Sequence, residues 1–207
     1  MLTTTSLRPA VFLDRDGTLI EERGYLDRLD LLTLFPWTAD ALRLLTRAGF
    51  VTVVITNQSA IGRGVIDEPF LASVHAAIDA ELALGGARID RYYYCPHHPD
   101  AEVKAYRQVC RCRKPGAGMI EQACREMGLD PAQSVMVGDR WIDIRCGRAA
   151  GTRTVLVRTG HGGHEADNPP DDAASPNVAP GTVPMAADAI LNNLMEAAGW
   201  ILRASSR

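Results

Sequence analysis

Five short runs of apolar, largely β-branched residues set the main constraint on this chain: Ala10–Leu13, Val51–Ile55, Ile89–Tyr94, Ser134–Val137 and Thr154–Val157. Each is too short for a helix and lacks the alternation of a half-solvated strand, so each predicts a strand buried on both faces of a parallel sheet. The segments between them carry apolar residues at helical spacing. Thr38–Ala48 stops at Gly49, Glu68–Leu84 at Gly85-Gly86, Gly118–Met127 at Gly128 and Ile142–Ala150 at Gly151, and glycine is a common terminator of helices. Strand alternating with helix predicts an α/β fold, a Rossmann-like open parallel sheet with helices on both faces. From His161 to about Pro184 the chain is rich in Gly, Pro, Asp and Asn and predicts a long irregular loop, followed by a closing helix over 185–202. No internal repeat and no second core is visible, so a single domain over 1–207 is expected.

A sheet of this kind binds ligands at the carboxyl ends of its strands. The residues that follow the predicted strands are chemically pointed: Asp14, Thr56, Cys95 and Asp139. Asp14-Arg15-Asp16-Gly17-Thr18 places two carboxylates one residue apart on a glycine turn, where both can face one cation, and magnesium prefers oxygen ligands. A carboxylate can also attack phosphorus, and a second beside it can protonate the leaving oxygen and then activate water. The competing reading is a strand-end turn capped by acids. Thr56-Asn57-Gln58-Ser59 offers a hydroxyl and backbone amides for phosphate oxygens, or a cap for the next helix. Arg113-Lys114-Pro115 supplies two cations, a fork for a substrate phosphate and a charge for the transferring group. Asp139 adds a third acid toward the metal; Asp143 reads equally as an acid behind it or as an early-helix acid favoured by the dipole.

Three of the five cysteines lie near two histidines. Cys95-Pro96-His97 and Cys110-Arg111-Cys112 form two pairs with one intervening residue each, able to close a tetrahedral Cys3His zinc site. His98 is the competing ligand; His97 is preferred because its pairing with Cys95 mirrors Cys110 with Cys112. Four protein ligands leave no place for water, so the zinc is expected to be structural and to pin the loop of about 95–112 that leads into Arg113 and Lys114. Cys124 and Cys146 read as packing thiols, His75 as a helix-face residue, and His161 and His164 as loop residues.

Acid pair, hydroxyl, lysine and acid, in this order, resemble the four motifs of the haloacid dehalogenase-like phosphatase superfamily over Ala10 to about Val157. The resemblance implies that Asp14 is the nucleophile, Asp16 the acid/base, Thr56 and Lys114 the phosphoryl-binding pair, and Asp14, the Asp16 carbonyl and Asp139 the magnesium ligands. Asp-Arg-Asp-Gly-Thr, the Cys-x-His and Cys-x-Cys loop and Cys-Arg-Lys-Pro are similar to the branch that holds heptose-bisphosphate and histidinol-phosphate phosphatases. Thr56-Asn57-Gln58-Ser59-Ala60-Ile61-Gly62-Arg63-Gly64 and the run Tyr93–Pro99 look like the heptose side of that branch. The resemblance then implies removal of the 7-phosphate of D-glycero-D-manno-heptose 1,7-bisphosphate, in nucleotide-activated heptose synthesis. Substrate contacts are expected from Glu22, Arg23, Gly24 and Tyr25, from Thr56, Asn57, Gln58 and Ser59, and from Arg113, Lys114 and Arg140. A histidinol-phosphate or broad sugar-phosphate phosphatase is the alternative within the class, and a non-catalytic zinc module that binds phosphorylated ligands is the alternative outside it.

A net charge of −3 with no basic run predicts no nucleic-acid partner. No stretch is long and apolar enough for a membrane span, and Met1–Pro9 does not read as a secretory signal, so the expectation is a cytoplasmic monomer acting on a small phosphorylated sugar.

Overall fold

A computed structural model describes residues 7–169 and 186–205. Six strands form one parallel sheet: β1 (Ala10–Leu13), β2 (Val51–Asn57), β3 (Arg91–Cys95), β4 (Val135–Gly138), β5 (Arg153–Val157) and β6 (Ala189–Leu191). Their order is β3-β2-β1-β4-β5-β6, with Leu13 opposite both Val54 and Val137. The chain winds outward from β1 in one direction through β3 and in the other from β4 to β6. The carboxyl ends of β1 and β4 therefore flank the crevice where the winding reverses.

Successive strand side chains point to opposite faces, and both faces are dry. Val11, Leu13, Val54, Val135, Val137, Val155 and Val157 pack against α1 (Thr38–Arg47), α3 (Glu68–Leu84) and α7 (Leu194–Ser205). Ala10, Phe12, Val51, Val53, Ile55 and Met136 pack against α4 (Gly118–Met127) and α5 (Trp141–Ala149). Leu42, Leu45, Ile78, Leu82, Ile120 and Ile201 are fully enclosed, and burying a side chain of this kind is worth about 1.5–3 kcal/mol. Among the described residues, no helix is long and apolar enough to cross a membrane.

Three expectations need correction. β3 is an edge strand and is not enclosed as expected: Arg91 is exposed on one face, and Tyr92 and Tyr94 on the other are only partly buried. The expected loop from 161 contains a short helix, α6 (Gly162–Asp167); residues 170–184 of that loop lie outside the described residues. The expected helix over 185–202 is two elements, β6 and α7. Asn193 separates them by accepting the Glu196 N–H at 3.0 Å, while the Glu196 carboxylate accepts the Asn192 N–H at 3.0 Å. That Asn-x-x-Glu pattern is a helix-start signal in the sequence itself. A one-turn helix, α2 (Ser59–Gly62), follows β2 directly.

Candidate active site

β1 carries Asp14 out of the sheet into the crevice, where its backbone N–H donates to Val137 O at 2.9 Å. Asp14 Oδ1 accepts the Arg15 N–H at 2.7 Å and contacts Lys114 Nζ at 2.8 Å. Lys114 is buried; its ammonium also meets Asp143 Oδ1 at 2.7 Å and donates to Ile55 O at 2.9 Å. Burial pulls the Lys114 pKa down, but Asp14 and Asp143 together hold it above the usual lysine range. Asp143 Oδ2 accepts the Arg140 N–H at 3.0 Å, so one carboxylate both pairs with the lysine and caps α5. The bond to the Arg140 N–H fits the early-helix reading of Asp143, and the ion pair with Lys114 is a partner that the sequence did not indicate.

Asp139, at the end of β4, accepts the His161 backbone N–H at 2.7 Å through Oδ2, while its buried Oδ1 has no hydrogen-bond partner. Oxygens of Asp14, Asp139 and Asp143 lie within 4.8 Å of one another. Burial, then the Asp14 and Asp143 charges, push the Asp139 carboxyl up to about 9. Burial likewise raises Asp14 to about 7, against the pull of Lys114 and with help from Asp143 and Asp16. Three buried carboxylates around one ammonium, one of them with an orphaned oxygen, suit a bound divalent cation, which reverses the cost of ionising them.

Asp14, Arg15, Asp16, Glu22, Gly24, Tyr25, Thr56, Asn57, Gln58, Ser59, Arg113, Lys114, Asp139 and Arg140 line a single cleft of about 310 Å³. Among the expected site residues, the structure does not bring Arg23 to this cleft: its guanidinium pairs with Glu21 and its side chain is half exposed. Asn57 does double service. Its amide clasps the Lys114 backbone in both directions, at 3.1 and 3.0 Å, which holds the lysine-bearing segment against the end of β2. Arg140 stands at the rim beside Glu165, at 3.5 Å. His161 also lines the cleft, with Nε2 3.7 Å from Glu22 Oε2. It lies four residues beyond the end of β5, at the same end of the sheet as Asp139, too far along the chain for the strand-end rule to single it out.

The second cluster lies at the end of β3 and in the loop that follows it. Cys95 Sγ is 3.5 Å from Cys110 Sγ and 3.3 Å from Cys112 Sγ, which is 3.1 Å from Cys110 Sγ. His97 Nδ1 is 3.6 Å from Cys95 Sγ and 3.3 Å from Cys112 Sγ. A disulfide brings sulfurs to about 2.0 Å, so these are free thiols facing a common centre. Zn–S bonds of about 2.3 Å imply tetrahedral edges of about 3.8 Å, a small expansion of what is seen. His98 is turned away, its Nδ1 accepting the Asp100 N–H at 3.1 Å. Glu68 on α3 ties the loop down, accepting from Tyr94 at 2.8 Å and from Tyr106 at 2.7 Å. The cluster reaches the cleft through Arg113, whose Nη1 donates to His97 O at 3.2 Å.

Strand order, crevice and carboxylate–lysine cluster are those of an α/β phosphohydrolase. The chain belongs to the haloacid dehalogenase-like hydrolases: that family's model matches residues 10–151, and the related HAD-hydrolase-like model matches 111–195. Over 153 residues it is 44% identical to the D-glycero-beta-D-manno-heptose-1,7-bisphosphate 7-phosphatase of Yersinia pestis, covering 73% of this chain and 81% of that one. The protein of the same name from Escherichia coli K12 is also 44% identical, with 73% and 80% covered. Among solved structures, the D,D-heptose 1,7-bisphosphate phosphatase of B. bronchiseptica, complexed with magnesium and phosphate, superposes with a TM-score of 0.78. It is 28% identical, over 95% of this chain and 99% of that one.

Proposed function

We propose that this chain removes the 7-phosphate of D-glycero-D-manno-heptose 1,7-bisphosphate through an aspartyl-phosphate on Asp14, acting as one catalytic unit and as a monomer in the cytoplasm. One observation carries the reading. Asp14 has one carboxylate oxygen fixed by Lys114, and it shares a single cleft with Asp16, Thr56 and the partnerless Asp139 oxygen. The chemistry suits a phosphate monoester, and the names of the relatives supply the sugar.

Asp14 Oδ1 is occupied by Lys114 and the Arg15 N–H, which assigns the other oxygen to attack. An O–P bond forms to Asp14 as the P–O bond to the sugar breaks, and Asp16 gives its proton to the departing alkoxide. Asp16 then takes a proton from water, the water oxygen attacks phosphorus, and phosphate leaves with Asp14 restored. Lys114 and the Thr56 hydroxyl hold the equatorial oxygens. Gln58 donates to Thr56 Oγ1 at 2.8 Å, which leaves the hydroxyl proton free to point at phosphate. Asp14, the Asp16 carbonyl and Asp139 would hold magnesium, which neutralises charge on the transferring group. Cys95, His97, Cys110 and Cys112 would hold a structural zinc that fixes the approach of Arg113 to the phosphate that is spared. Glu22, Gly24, Tyr25, Asn57, Ser59, Arg113 and Arg140 make up the sugar-facing wall, and the binding energy of the spared phosphate positions the reacting end.

The test is magnesium-dependent phosphate release from both anomers of the heptose bisphosphate, fructose bisphosphate and histidinol phosphate, with phosphorus NMR reporting which ester is cut. The expected ranking puts the β-anomer of the heptose bisphosphate first, with its 7-ester hydrolysed, and Asp14→Asn inactive but folded. A higher kcat/KM on histidinol phosphate overturns the sugar assignment, and turnover by Asp14→Asn overturns the nucleophile.

A further inference from the structure

The acid/base carboxylate stands at the edge of an open cleft, where a short side chain with two torsions has solvent to turn toward. It is nevertheless held from two sides. Arg15 Nε reaches both Asp16 oxygens at 3.2 Å, and Arg15 Nη2 donates to Oδ1 at 2.8 Å. Gln58 Nε2 donates to Asp16 Oδ2 at 3.0 Å, and its own carbonyl accepts from Arg15 Nη2 at 3.1 Å. Arg15, Asp16 and Gln58 thus close a triangle, and Gln58 extends it to Thr56. The Arg15 side chain is 3% exposed against 21% for Asp16, so the anchor is buried while the carboxylate it holds reaches the cleft.

The Arg15 guanidinium is buried, committed through Nε and Nη2, with Nη1 left without a hydrogen-bond partner. His75 on α3 stays neutral, held down to about 4 by its own burial first and by the Arg15 charge second, and it stacks on Tyr92 at 4.2 Å. A protonated imidazole there would oppose the arginine.

We infer that Arg15, with Gln58, is a positioning residue that holds Asp16 in the orientation from which it protonates the leaving oxygen. The inference rests on the role given to Asp16 under Proposed function. A fork of two N–H groups sets the carboxylate plane, which a lysine in the same place cannot do. The triangle also couples the acid to Thr56, so that the group receiving phosphate oxygens and the group protonating the ester share one frame.

The test separates positioning from bulk structure by the leaving group. A sugar alkoxide needs a proton as it departs, whereas p-nitrophenolate does not. Comparing kcat/KM, which reports only steps up to phosphoryl transfer, removes the later water step from the comparison. For Arg15→Met, kcat/KM on the sugar bisphosphate should fall about 10–100-fold, part of the 10²–10⁴ a general acid contributes. On p-nitrophenyl phosphate it should fall less than about threefold. Arg15→Lys should show the same contrast at reduced size, and it serves if Arg15→Met does not fold. Equal losses on the two substrates overturn the inference. Asp16→Asn run beside them guards the premise: if it shows no leaving-group contrast, the acid role of Asp16 fails first, whatever Arg15 does.

Discussion

Replacing Lys114 by Met keeps the length of the side chain and deletes one charge from a site that water barely enters. In the native arrangement the ammonium meets Asp14 at 2.8 Å and Asp143 at 2.7 Å. Each contact is worth about 6 kcal/mol gross at an effective dielectric near 20. Most of that offsets the desolvation of the three charges, and removing one partner of a buried pair typically costs about 3–5 kcal/mol because the remaining charge is stranded. For a chain of this size that is a fall of about 6–20 °C in melting temperature. The deficit should depend on pH in a definite sense. Asp14, already raised to about 7 with the lysine present, moves higher without it, so at pH 5.5 it is protonated in both proteins and strands little charge, whereas at pH 8.5 the parent holds it ionised against the lysine and the variant must keep its proton or strand its charge. Melting by scanning fluorimetry in chelator at the two pH values should therefore show the larger deficit at pH 8.5. Lys114→Met/Asp143→Asn, which keeps an oxygen for the Arg140 N–H, should recover roughly half of it. A single variant melting within about 2 °C of the parent at pH 8.5, or showing the same deficit at both values, would refute the claim that the lysine compensates the carboxylates.

In chelator, Asp14 and Asp139 have folded pKa values near 7 and 9, above the ordinary 3.8. Their contribution to stability is therefore present while they are protonated and is lost as pH rises through those values. The melting-temperature gain from added magnesium should grow from pH 6 to pH 9, and a gain that stays flat or shrinks contradicts a metal site between them. Purified protein should carry about one zinc, by atomic emission, in line with a four-ligand site; its removal should lower the melting temperature and raise KM for the bisphosphate more than it lowers kcat, and unchanged values after verified removal count against the zinc loop. Gly160 has φ +57°, and a Cβ there would lie 2.3 Å from Asp139 Oδ2, while a Cβ at Gly163 meets nothing nearer than 3.6 Å. Gly160→Ala should weaken magnesium activation about tenfold or more by pushing the Asp139 carboxylate off the His161 N–H that orients it, and Gly163→Ala should leave it unchanged; equal effects would show that the close approach at Gly160 is immaterial.

The fold was legible where one rule acted alone. Val11, Phe12 and Leu13 have no polar alternative to a buried strand, and Glu68 to Leu84 matches its helix residue for residue. It was not legible where two patterns abut. Ala189-Ile190-Leu191 is apolar in the same way as the first turn of α7, so strand and helix read as one amphipathic run. Only the side-chain bonds of Asn192 and Asn193 divide them. β3 misled for a different reason. Tyrosines count as apolar in a pattern, yet Tyr92 and Tyr94 keep their hydroxyls on Asp79 and Glu68, and such a strand belongs at an edge.

The site divides along the same line. Spacing along the chain places Asp14, Thr56 and Asp139 at one end of the sheet, because strand ends are a property of the local pattern. It does not reveal which neighbour each side chain finds. Arg23 lies one residue from Glu22, which lines the cleft, yet it turns to Glu21 instead. Arg15 lies between the two acids of the strand-end pair and looks like a spacer, but folding buries it and commits its guanidinium to one of them. Asp143 reads in the sequence as an acid behind the metal or as an early-helix acid, and neither reading contains the ion pair with Lys114 that takes one of its oxygens while the other accepts the Arg140 N–H. What sequence alone leaves open is the pairing of charges across elements. The chemistry depends on that pairing: a carboxylate is a nucleophile, a metal ligand or a proton carrier according to what holds its other oxygen.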